Sequence, residues 1–292
     1  MPLLSSFYSQ LRKDAAHPYS RSTFIGIRAA INRHIRGEPY YRSFNIISDS
    51  LFEPANRAFA QSEKRGPTRT EPIAIESSDL RKMFASRILS LASPQTLLWK
   101  VFFEVLLQLG YMSKQQLQGL KRDWFRFGQD ENGLRYVTLE SSGRVTDSSN
   151  EPRMYERPGD ENCPVKSLAL MLKKLHPKCC YVFQKPKEKY PRDSTSSWYY
   201  GRVVGVNMLA SYMRQISDAA RLSRSYTNFS IKATSLKALS CAGVSAADIS
   251  TVYKFASASV LQQNIDCGTV KVCAERRKSM SNVLSACCSR PL

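Results

Sequence analysis

The chain has 292 residues, 43 of them lysine or arginine against 24 acids, for a formal charge of +19. With 42% apolar residues it can bury real cores, which excludes a disordered polyelectrolyte. No apolar run reaches the roughly 18–20 residues that a bilayer-spanning helix needs, so no membrane partner is expected, and the excess of positive charge points to a polyanion.

The opening "MPLLSSFYSQLRKD" turns polar too early for a signal peptide, which predicts an intracellular protein, not a secreted one. In "SRSTFIGIRAAINRHIRG", Phe24, Ile27, Ile31 and Ile35 recur at helical spacing. Ser22 is the expected N-cap and Gly37 the expected stop. Arg21 and Arg28, seven apart, share another face, and with Arg36 they are candidate DNA contacts or, more blandly, a solvated charged flank. Residues 1–70 hold eleven lysines and arginines against five acids. The stretch "QSEKRGPTRTEPIAIESS" is rich in Gly, Pro, Ser and Thr, so a linker is expected over 66–79, between a helical domain at 1–65 and a larger one at 80–292.

The larger part should open with a buried helix. Ser93 is a natural N-cap, Pro94 suits the first helical position, and "QTLLWKVFFEVLLQLG" runs apolar nearly all round to Gly110. "WFRF" and "LRYVTL" flank "GQDENG", whose Asn132-Gly133 signals a hairpin. A helix follows in "CPVKSLALMLKKL", with Val165, Leu168, Leu172 and Leu175 on one face, and "CYVF" is a possible further strand. "FQKPKEKYPR" is basic with interleaved aromatics, so Lys185 and Lys187 are candidate backbone contacts, although such loops are commonly just solvated. Helices are expected at 206–222, 229–242, 246–253 and 257–264, with Gly243 ending one and Ser245 and Asp248 capping the next. The fold class is therefore mainly α with a small antiparallel sheet. The cysteines, at 163, 179, 180, 241, 267, 273, 287 and 288, lack C-x-x-C spacing and read as reduced thiols, with no metal site.

An ordered series of segments, among them "YSRSTFIGIRAAINRHI", "PQTLLWKVFFEVLLQLGYMSKQQLQGLKRDW", "RMYERPGDENCPVKSLALMLKKL", "VGVNMLASYMRQISDAARLSRSYTN" and "RRKSMSNVLS", resembles the Crypton-type tyrosine recombinases of eukaryotic mobile elements and the host proteins that retain their domain. The resemblance implies a tyrosine-recombinase-like, two-domain clamp around duplex DNA. It implies no cofactor and no small-molecule substrate, and it leaves open a homo-oligomer on DNA. A eukaryotic source would place the protein in the nucleus, and otherwise the cytoplasm is expected. In that family a tyrosine attacks the scissile phosphate, two arginines hold the phosphate oxygens through bidentate hydrogen bonds, and a lysine and histidines move protons.

Carried over position by position, the chemistry is missing. The first arginine falls on Lys114, with Met112 as the alternative alignment. The histidine and second arginine fall on Phe229 and Lys232 in "YTNFSIKAT", a further histidine on Phe255, and the nucleophile on Asn264. The strand lysine has no match beyond Arg144, out of register. Phenylalanine carries no proton to give and asparagine forms no phosphotyrosyl link, so the resemblance implies a pseudoenzyme that binds DNA. Lys232 can still neutralise a phosphate as a point charge. Phe229 and Phe255 read as core or interface residues, and Tyr253, eleven residues before Asn264, could serve as a substitute nucleophile only with a rearranged terminus. The rival readings are an active recombinase using noncognate residues and a scaffold that binds another protein.

Overall fold

The computed structural model describes residues 2–13, 19–64, 72–110, 112–140, 151–191, 196–253 and 274–286. It divides into two compact units, Met1–Glu71 and Pro72–Leu292.

The described residues of the smaller unit include the α-helices α1 (Pro2–Gln10), α2 (Arg21–Arg36) and α3 (Glu53–Lys64). Its core is Tyr8, Phe24, Ala55 and Phe59, with the Tyr8 and Phe59 rings edge to face at 5.2 Å. Aromatic side chains supply most of this core because three short helices offer few inward positions. The α2 stripe is laid out as its spacing predicts: Phe24 is buried and Ile27, Ile31 and Ile35 are half-buried. Its N-cap, however, is Ser20 and not Ser22. Ser20 Oγ accepts the Thr23 amide at 3.2 Å, and the helix starts two residues earlier than expected. Gly37 ends it.

In the larger unit α4 (Ser77–Ala85) precedes the central helix α5 (Pro94–Gln108), which is buried along nearly its whole length. Ser93 and Thr96 form the expected capping box, Pro94 takes the first position, and the chain leaves through Gly110 at φ +98°. A short helix α6 (Lys114–Gln118) leads to an antiparallel three-stranded sheet, β1 (Phe125–Gln129), β2 (Arg135–Leu139) and β3 (Met154–Tyr155), in sequence order. Phe127 pairs with Val137 across the first hairpin, and Gly133, at φ +76°, turns it where Asn132-Gly133 predicted.

Helix α7 (Pro164–Lys174) covers α5, and β4 (Gln184–Pro186) pairs with β5 (Tyr199–Val203) as a second, two-stranded sheet. The expected strand in "CYVF" lies elsewhere: Tyr181 makes an isolated bridge to Lys121, and the strand begins at Gln184. Val182 and Phe183 are wholly buried, so their apolar character marks core, not strand. Helices α8 (Val206–Ala219), α9 (Asn228–Cys241), α10 (Ala246–Tyr253) and α11 (Ala274–Ala286) follow among the described residues. The helix expected at 257–264 lies outside the described residues. No helix among the described residues is long and apolar enough to cross a membrane.

The chain between 72 and 79, assigned to a linker by composition, packs on the larger unit. Ile75 is buried, its amide donates to Thr234 Oγ1 at 2.8 Å, and Asp79 is buried one turn into α4. Proline and serine density concealed the "IAI" segment, which meets α9 through the Ile75 amide.

Candidate nucleic-acid interface

Helix α9 carries the centre of the candidate site, and its sequence explains how it is held. Its inward face mixes small polar residues, Ser230, Thr234 and Ser235, with the apolar Ile231 and Leu239, all buried. Ser235 Oγ donates to the Leu107 carbonyl at 2.9 Å, which lets α9 approach the last turn of α5 closely. The first turn is fixed from two sides. The Thr227 amide donates to Ser230 Oγ at 3.3 Å, and the Asn228 side chain accepts from the Met213 amide and donates to the Leu209 carbonyl, both on α8.

Asp79 reaches the segment before α9 from the other side. It accepts the Ser223 amide at 3.1 Å, the Ser223 hydroxyl at 2.5 Å and the Tyr226 hydroxyl at 2.9 Å. Burial pushes the Asp79 carboxyl up, but these donors and the Lys82 charge together outweigh it and hold the group below the usual carboxylate range. Lys82 Nζ in turn donates to the Arg221 carbonyl. The frame around α9 is thus built by hydrogen bonds from α4, α5 and α8.

On the outward side of this frame stand Phe229 and Lys232, three residues apart and so one turn apart on the same side. Of the core or interface positions expected for Phe229, its 39% exposure removes the core: the buried residues of α9 lie on the other side of the helix. Lys232 is half-buried, and burial lowers its pKa from the ordinary lysine value. Phe255, Asn264 and Arg144 lie outside the described residues.

Lys114 occupies the first position of α6, half-buried behind the Ser113 cap, and α6 packs on α8. Met112, the alternative position, is buried and lines an apolar cavity of about 350 Å³ with Leu109, Leu120, Trp124, Leu139 and Tyr253. Tyr253 is therefore a wall residue. Its burial pushes the phenol far above the ordinary range, opposite to what a phosphate-attacking tyrosinate needs.

The other candidates divide. Lys185 is exposed on β4, but Lys187 donates to the Ser197 carbonyl at 2.9 Å and so helps close the β4–β5 hairpin. In the smaller unit Arg21 and Arg36 are exposed on α2. Arg28 is not an outward cation like them. It donates to the Ile47 carbonyl at 3.0 Å and to Asn56 Oδ1 at 2.8 Å, and its guanidinium lies 4.5 Å from the centre of the Phe59 ring. Seven-residue spacing places Arg21 and Arg28 on one side of the helix, but the 45–56 segment folds over the second of them.

Composition-based reasoning passed over two features. Arg221 and Arg224 are exposed in the segment entering α9, with Arg224 3.4 Å from Glu76; the signal was present in "RLSRSYTN", ahead of the Thr227 cap. The Lys100–Glu104 pair is buried inside α5 at 2.8 Å. A helix that is apolar nearly all round hides one i,i+4 ion pair. Among the described residues no group of three metal-ligating side chains converges, and Cys163, Cys179, Cys180 and Cys241 are free thiols.

No family model and no curated protein matches the chain. Among solved structures it is similar to a XerH site-specific recombinase bound to difH substrate in a pre-cleavage complex, at 12% identity over 95% of this chain and 92% of that one, with a TM-score of 0.42. It is also similar to a XerA recombinase, at 11% identity over 91% and 84% with a TM-score of 0.38. A lambda integrase dimer bound to a COC′ core site matches at 10% identity over 96% and 86%, with a TM-score of 0.35. Likeness at these scores carries no argument about function.

Proposed function

We propose that this chain binds duplex DNA, mainly through its phosphates, on a tyrosine-recombinase-like framework of Crypton type that no longer cuts the strand. The observation that carries the reading is the outward side of α9. There stand an exposed Phe229 and a half-buried Lys232, to which the resemblance assigns the positions of a proton-transferring histidine and a phosphate-clamping arginine. The side that survives can attract a phosphate through Lys232 and lacks the histidine that serves the family in proton transfer. The exposed arginines of the segment entering α9 extend the positive character, and the +19 charge of the chain suits a polyanion. In a eukaryotic cell such a protein works in the nucleus.

The two units each contribute cations, and both engage one duplex in this reading. The test is a salt titration of labelled duplexes of unrelated sequence, with the full chain and with residues 72–292 side by side. Log affinity should fall linearly with log salt for every sequence, and the full chain should bind more tightly because the linked unit acts at high effective concentration. Absent or salt-independent affinity would reject DNA as the partner and leave a protein scaffold. Equal affinity of the two chains would confine binding to the larger unit.

A further inference from the structure

The smaller unit carries a feature that duplex phosphate binding alone does not explain. Where α2 ends, the Gly37 amide donates to the Arg33 carbonyl at 2.9 Å and the chain folds straight back. The Tyr40 and Tyr41 amides both donate to the Gly37 carbonyl, at 3.0 and 2.9 Å, and the Arg42 amide returns to the Ile35 carbonyl at 2.9 Å. This closed loop holds Tyr41 at φ +43°, a left-handed conformation that side-chain-bearing residues adopt rarely. It presents two large rings to solvent, Tyr40 at 52% and Tyr41 at 70% exposure. The imidazole of His34 stands edge to face with Tyr40 at 5.1 Å, and Arg33, Arg36 and Arg42 are exposed around them, with Glu38 the one acid between 33 and 44.

Cations at the end of α2 complement its dipole, and that alone accounts for Arg33 and Arg36. It does not account for the tyrosines. Both lie outside the core of Tyr8, Phe24, Ala55 and Phe59, and a strained backbone keeps one of them in water. We propose that this loop is a site for unstacked nucleobases, the two tyrosine rings taking the base faces while Arg33, Arg36 and Arg42 take the adjoining phosphates. Ring faces find no partner on an intact duplex, whose bases show only their edges in the grooves, whereas single-stranded or locally opened nucleic acid offers base faces and phosphates together. The site shares with the proposed function only the polyanionic nature of the partner.

The test uses the full chain with a short labelled DNA single strand and its duplex, measured by fluorescence anisotropy. Replacing both rings, Tyr40→Ala with Tyr41→Ala, should lower single-strand affinity roughly tenfold or more and change duplex affinity less than about twofold. Tyr40→Phe with Tyr41→Phe keeps the ring faces and should preserve single-strand binding. Unchanged single-strand affinity in the alanine variant, or an equal loss on both DNAs, overturns the site. So does tyrosine-dependent binding to anionic phosphatidylserine vesicles with single-strand affinity unaltered, which would assign the loop to a membrane surface. A wild-type chain that binds duplex but not single strands sinks this site alone, and one that binds single strands but not duplex keeps it and sinks the duplex reading.

Discussion

Lys232 is the residue on which binding and chemistry part company. In the proposed reading its neighbour Phe229 stands where the resembling family holds a proton-transferring histidine, and it is a hydrocarbon ring, 39% exposed, so this side of α9 keeps a cation for phosphate and lacks that histidine. Replacing Lys232 with alanine should weaken binding about equally for all duplex sequences and reduce the salt slope of log affinity by about one unit, as one lost phosphate contact requires. Lys232→Arg should preserve the slope and produce no strand cleavage. An unchanged slope in the alanine variant, read from duplex titrations at several salt concentrations, would make Lys232 an ordinary surface residue. The spacing of Phe229 and Lys232 was legible in "YTNFSIKAT", because three residues on a helix give one side. The exposure of Phe229 was not, because it depends on which side of α9 meets α5, and that is decided by Ser235 reaching the Leu107 carbonyl. Arg28 failed in the same way: its spacing from Arg21 was right, and Asn56, 28 residues away, captured it.

At the scale of elements, α5 and α4 do different work. Capping made α5 readable, since Ser93, Pro94 and Gly110 each carry a local signal, but its buried ion pair was not, because no periodicity distinguishes an inward lysine from an outward one. Burial pushes the Glu104 carboxyl up, against Lys100, Arg157 and Ser167, which favour its charged form. Lys100 also lies 5.0 Å from the centre of the Phe84 ring. Removing one partner should cost about 3–5 kcal/mol by stranding the other charge, while Lys100→Met with Glu104→Leu should recover most of that loss. Urea unfolding checks this, and a double variant as unstable as Glu104→Leu would contradict it. Helix α4 ties the entry of the larger unit to the segment before α9 through Asp79. Its carboxyl is held below the ordinary 3.8, so its stabilisation is fully present above that value and is lost as pH falls through the lower folded value. Asp79→Asn should therefore cost about 1–3 kcal/mol at neutral pH, and the gap from wild type should close only in acid below about pH 3.8. A gap that closes at higher pH, followed by urea midpoints, would remove Asp79 from its anchoring role.

For the whole molecule the central claim is that binding survives where cutting has gone. The positive charge was visible from composition. Where the larger unit begins was not visible, because "IAI" at 73–75 lies among linker-like residues yet docks on α9 through the Ile75 amide. The chemistry makes one demand that no rearrangement of cations can meet, an accessible oxygen nucleophile. Tyr253, the nearest candidate, is walled into an apolar cavity with its phenol pushed far up. The decisive measurement mixes the full chain with a nicked suicide duplex that traps any phosphotyrosyl link, then runs each sample on a native and on a denaturing gel. The account predicts a salt-sensitive shifted band on the native gel and free, uncut DNA on the denaturing one. A protein-DNA adduct that survives denaturation would contradict it.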